Sequence, residues 1–129
     1  MGFRYRHVWM ATAALVALVY HTAASATNFT SVAYDEKADK LIINIAYRGT
    51  HENHNFRIQW DECRRLDDER FQIHGLLIDS DPMDLARQDF SKTLEIDLAS
   101  HPCRPARLTV RTASGFNRSL DIPKPKKNR

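Results

Sequence analysis

Two histidines three residues apart, His51 and His54, sit in the most chemically dense segment of the chain, Gly49-Thr50-His51-Glu52-Asn53-His54-Asn55-Phe56. A loop can turn both imidazoles to one side, and imidazole nitrogen suits Zn²⁺ or Cu²⁺. Two ligands do not complete a site. A third donor has to come from His74, His101, Glu52 or an aspartate that folding brings near. The segment looks like the His-Glu-x-x-His motif of zinc proteases but fails it: His54 comes one residue early and position 55 is Asn. That motif also needs helical spacing, and this segment interrupts a strand pattern. The competing reading is a polar loop in which His54 bonds backbone beside Phe56. No cofactor is expected on that reading; Zn or Cu at His51 and His54 is its rival.

Other clusters read as structure. Asp79, Asp81 and Asp84 could suggest calcium, but the glycine of an EF-hand loop is missing. Asp81 reads more simply as the cap of a short helix, with Pro82 at its first position and Asp84 in its first turn. Met83, Ala86 and Phe90 would share one face of that helix. The run Asp61 to Arg70 mixes both signs of charge. It reads as a solvated loop and a candidate contact surface through Arg64, Arg65, Asp67 and Asp68, either for a protein partner or as an inhibitor of an enzyme. Nothing points to nucleophilic catalysis: there is no Gly-x-Ser-x-Gly, and no acidic partner for His74 stands out. A binding or structural module, with a protein partner or a small ligand, is expected rather than an enzyme.

The composition divides the chain. Arg4 and Arg6 precede Val8–Tyr20, a 13-residue run whose one polar residue is Thr12, and Ala24-Ser25-Ala26 follows. That is the layout of a secretory signal peptide over 1–26, cleaved near Ala26. The run is too short for the ~20 apolar residues of a spanning helix, and no Cys follows it for lipid attachment. A periplasmic or secreted protein with no stable membrane anchor is therefore expected. The +3 formal charge of the chain lies at its ends. Two positive charges belong to 1–26 and four to the basic tail 123–129, so residues 27–122 carry 13 positive and 16 negative charges, net −3. Nucleic acid is not an expected partner, because binding also calls for exposed aromatics. The eight aromatics after residue 26 fall mostly on strand inner faces. Cys63 and Cys103, an even pair in an exported chain, read as a disulfide. Closing that loop would contribute about 4 kcal/mol in the chain-entropy account.

The elements that must position these groups read as β. Leu41, Ile43, Ile45 and Tyr47 alternate with Ile42, Asn44, Ala46 and Arg48, the period-2 pattern of a strand with one buried face. Phe56, Ile58 and Trp60 repeat it, as do Leu94, Ile96 and Leu98. Phe71–Asp79 carries Leu76, Leu77 and Ile78 in succession, which suggests a central strand. Phe29–Tyr34, Arg107–Thr112 and Phe116–Ile122 complete the set, with Ser114-Gly115 as a hairpin turn. About seven strands in one domain of this length predict an all-β, Ig-like antiparallel β-sandwich with one short helix inserted. The Cys-Trp-Cys order of true immunoglobulin domains is absent, because Trp60 precedes both cysteines.

Tyr47-Arg48-Gly49-Thr50-His51 with His54 and Phe56 resembles a signature of small exported bacterial proteins, many of them lipoproteins of unassigned function. Their pattern is Tyr, a Gly-Gly pair, Cys or His, two residues, His, one residue, Phe. Here Thr50 stands in place of the second glycine. Asp84 and Leu94–Leu98 resemble a later acidic position and strand of that group. The resemblance implies a β-rich exported domain and supplies no activity.

Overall fold

The computed structural model describes residues 27–84 and 88–126. The expected signal peptide and its cleavage point, Ala86, Lys127 and Arg129 lie outside the described residues. Eight strands make two sheets: β1 (Asn28–Asp35), β2 (Lys40–Gly49), β3 (Phe56–Trp60), β4 (Arg64–Arg65), β5 (Phe71–Asp79), β6 (Gln88–Asp97), β7 (Ala106–Thr112) and β8 (Asn117–Ile122). One sheet has the order β1-β2-β6. The other runs β3-β5-β7-β8, with β4 added beside β5. The all-β expectation therefore holds, and the charged segment before Arg70 is less loop-like than its composition suggests, because Arg64 and Arg65 pair with Gln72 and Phe71.

The alternation in β2 does what its period predicts. Leu41, Ile43, Ile45 and Tyr47 are all 3% exposed or less. They face Ile73 and Leu77 of β5 and Ala106, Leu108 and Val110 of β7 across the sandwich core. Each such aliphatic side chain contributes roughly 1.5–3 kcal/mol by leaving water. Strand β5 is central, flanked by β3 and β4 on one edge and β7 on the other. The Ser114-Gly115 turn is also as expected. Gly115 sits at φ 98°, where a side chain would be strained, and Thr112 N–H donates to Phe116 O at 2.8 Å.

Two expectations need correction. The pairing is not wholly antiparallel, because β5 and β7 run parallel. The chain leaves the second sheet after β5, adds β6 to the first, and returns as β7; two reversals restore the original direction. The short helix expected after Asp81 is not seen among the described residues. Asp84 N–H donates to Asp81 O at 3.2 Å in a turn, and by Gln88 the chain is already in β6. Phe90, assigned to a helical face, instead pairs with Tyr47 in the ladder and stacks on its ring at 5.6 Å. Ladder bonds to Tyr47–Gly49 outweigh what a two-turn helix could offer, since nucleating a short helix is itself unfavourable. Met83, expected to share a helical face with Ala86 and Phe90, is 82% exposed.

Cys63 and Cys103 are bonded, tying the β3–β4 connection to the β6–β7 crossover. Beside them, the Arg104 side chain is 1% exposed and pairs with Asp39 at 2.8 Å. It also donates to Leu98 O and Pro123 O. Asp39 closes the β1–β2 turn at φ 53°, a left-handed conformation that aspartate tolerates better than most residues. Its carboxyl is held below the usual range chiefly by the hydrogen bonds from Arg104. A carboxyl whose pKa is lower folded than unfolded stabilises at pH values above the unfolded pKa, and that stability is lost as pH falls through the folded pKa. The melting temperature should therefore fall as the pH drops below about 4. Asp39→Asn keeps the left-handed turn but leaves Arg104 buried without its counter-ion. It should cost about 3 kcal/mol at neutral pH and flatten that acid slope, as read by thermal melts across pH.

Candidate metal centre

The centre lies at the end of the sandwich opposite the disulfide, where two connections cross between the sheets. The β2–β3 connection brings Thr50, His51 and His54. The end of β5 and the turn after it bring Asp79, Asp81 and Asp84. One ligand atom from each of His51, His54, Asp81 and Asp84 can be chosen so that all lie within 4.8 Å of one another. The third and fourth candidate donors are thus aspartates. His74 is exposed on β5, His101 packs on Trp60 at the other end, and Glu52 meets the site only through its carbonyl, which accepts from the Tyr47 hydroxyl at 2.8 Å. Asp81 is no helix cap: its carboxylate lies 3.4 Å from His51 Nε2.

His54 is fully buried and held from both sides. Its Nδ1 is 2.9 Å from the Asp79 carboxylate, and its Nε2 is 2.9 Å from Asp84 Oδ2. Tyr47 covers the ring at 4.9 Å between centroids, with Phe56 beyond. Asp79 is fixed in turn by the Thr27 hydroxyl at 3.0 Å and the Asp81 N–H at 2.9 Å. Asp84 takes the Thr50 N–H at 2.8 Å and the Thr50 hydroxyl at 3.1 Å. Lys92 Nζ caps the His54 carbonyl at 3.0 Å. His51 is the open side. Its side chain is 45% exposed, and its Nδ1 accepts from Asn53 N–H at 3.1 Å, which leaves Nε2 facing Asp81 and Asp84.

A neutral imidazole has one N–H, and an ionised carboxylate only accepts. Two carboxylates on one ring therefore require a second proton on His54 or a cation between Nε2 and Asp84. Burial disfavours the charged ring, but Asp84 and Asp79 outweigh it and raise the His54 pKa. Its hydrogen bond with His54, then the Thr50 N–H, hold the Asp84 carboxyl down to about 2. Gly49 makes this close approach possible. A Cβ there would sit 2.6 Å from His54 Nε2 and 2.7 Å from Asp84 Oδ2, so any side chain would push one of them aside.

The contact surface expected at Arg64, Arg65, Asp67 and Asp68 lies far from this centre. All four residues are exposed. Arg65 lies over the Phe71 ring at 5.2 Å, and Asp67 is used in the turn through Arg70. No family model matches this chain, and neither does any curated protein or solved structure among those compared.

The two histidines should behave differently on mutation. His54→Ala leaves Asp79 and Asp84 facing a buried gap and should cost about 3–5 kcal/mol in urea unfolding. His51→Ala, at an exposed ring, should stay within about 0.5 kcal/mol. Gly49→Ala should destabilise in the same direction as His54→Ala, because His54 has no room to move.

Proposed function

We propose that this protein is an exported metal-binding module that holds one divalent transition ion, Zn²⁺ first and Cu²⁺ second, between His51, His54, Asp81 and Asp84. The observation that carries this reading is the convergence of two imidazole nitrogens and two carboxylate oxygens from connections 25 or more residues apart. The spacings suit the ion. Tetrahedral ligands at ~2.1 Å stand about 3.4 Å from one another. Three of the six ligand pairs here are separated by 2.9 Å, 3.4 Å and 3.7 Å, and all six lie within 4.8 Å. Two nitrogens with two carboxylate oxygens is a donor set for borderline ions rather than for calcium. Asp79 completes the arrangement. A carboxylate on the far nitrogen of a ligating histidine fixes its tautomer and strengthens its donation, and Asp79 stands on Nδ1 while Nε2 faces the other donors.

The His51 and Asp81 side chains are half-exposed, while His54 is fully buried and the Asp84 side chain is 10% exposed. An ion would enter from the His51 side and lodge against a prearranged floor. Such a site suits binding, storage or delivery of metal. The disulfide fits an oxidising compartment, which supports the exported, periplasmic or secreted location. Among the described residues no helix is long and apolar enough to cross a membrane. The sandwich has the scale of an Ig-like domain, with the parallel β5–β7 pair as its departure from that plan.

Isothermal titration with Zn²⁺ and Cu²⁺ tests the reading. One ion per chain should bind, and His51→Ala should weaken it by about tenfold or more with the melting temperature of the metal-free protein unchanged. No saturable heat in the wild type, or equal affinity in His51→Ala, would remove the proposal.

A further inference from the structure

At the disulfide end lies a cavity of about 520 Å³ that the metal reading does not use. Its lining includes Trp60, Pro102, the bonded Cys63 and Cys103, and the acidic residues Asp61, Glu62 and Asp97. The Trp60 ring packs against two neighbours. It lies over Gly75, its cross-strand partner, so closely that a Cβ on Gly75 would be 2.9 Å from the ring. His101 meets it edge-on at 5.2 Å between centroids. The volume is in the range of small-ligand pockets.

The charge of the lining is one-sided. Asp61 has a distant partner in Arg111 at 3.9 Å. Glu62 and Asp97 have no ion-pair partner among the described residues, and Asp97 accepts only the Ala99 N–H in its own turn. Arg104 is spent on Asp39 and backbone carbonyls. His101 adds no positive charge at neutral pH, since burial, and then Arg104, lower its pKa. An aromatic ring sharing a pocket with carboxylates that make no ion pair among the described residues, here Glu62 and Asp97, is a combination suited to an ammonium group, through the ring quadrupole and direct attraction together.

We propose that this cavity binds a small organic cation, with its ammonium head between Trp60, Glu62 and Asp97 and its apolar body against Pro102 and the disulfide. The site is separate from the metal centre and does not depend on it. A free ammonium compound is favoured over a lysine presented by a protein because the volume of this open concavity matches a small molecule.

The chain has two tryptophans, so in a Trp9→Phe background Trp60 emission reads this cavity alone. Titration with n-butylammonium and butyltrimethylammonium should give a saturable change with a dissociation constant on the order of millimolar, the range open to ligands so small. Uncharged n-butanol should give none. Glu62→Gln with Asp97→Asn, both exposed positions, should weaken the response about fivefold or more with the melting temperature unchanged. An equal response to n-butanol, no saturation with either amine, or unchanged affinity in the double variant overturns the proposal. So does binding of a lysine-rich peptide without binding of butyltrimethylammonium.

Discussion

One buried ring organises the crossing end of this sandwich. His54 has carboxylates against both of its nitrogens, and neither carboxylate can donate in its ionised form. The requirement for a second proton or a cation follows from that arrangement alone. Everything near the ring serves to hold it. Tyr47 and Phe56 exclude water, Thr27 and Thr50 fix the two aspartates, and Gly49 yields the space a side chain would take.

The two ends of the molecule are closed by different chemistry. At one end a covalent bond joins Cys63 to Cys103, and Arg104 gathers Asp39, Leu98 O and Pro123 O into a buried, fully paired knot. At the other, the contacts between sheets are polar and reversible. The crossovers on either side of β6 explain the division. Each carries the chain between sheets, so each end needs a fastening across the gap. The His54 end is fastened by imidazole and carboxylate groups, the donor types a divalent transition ion takes, and the same contacts that close the fold there hold these groups together.

Much of the scaffold was legible in the sequence because strand burial has a period of two. Leu41 to Tyr47 and Leu108 to Val110 announce their inward faces directly, and the cysteine count announces the disulfide. His51 and His54 stand out by type and spacing. Their partners did not, because Asp79, Asp81 and Asp84 lie 25 or more residues from His54, and no periodicity reports proximity between connections. The Asp-Pro-Met-Asp segment misleads for a physical reason: an aspartate before a proline is how helices begin, and the same residues serve a turn that aims carboxylates. The parallel β5–β7 pair was equally hidden, since it depends on where β6 goes rather than on any residue in β5 or β7.

The central claim is that His51, His54, Asp81 and Asp84 hold a metal ion. Anomalous diffraction at the zinc edge from crystals of zinc-loaded protein tests it most directly. The account predicts one strong peak about 2.1 Å from both Nε2 atoms and from a carboxylate oxygen of Asp84 and of Asp81, with His54 Nδ1 still bonded to Asp79. A peak elsewhere, or no peak with Asp84 still bonded to His54 Nε2, would contradict it.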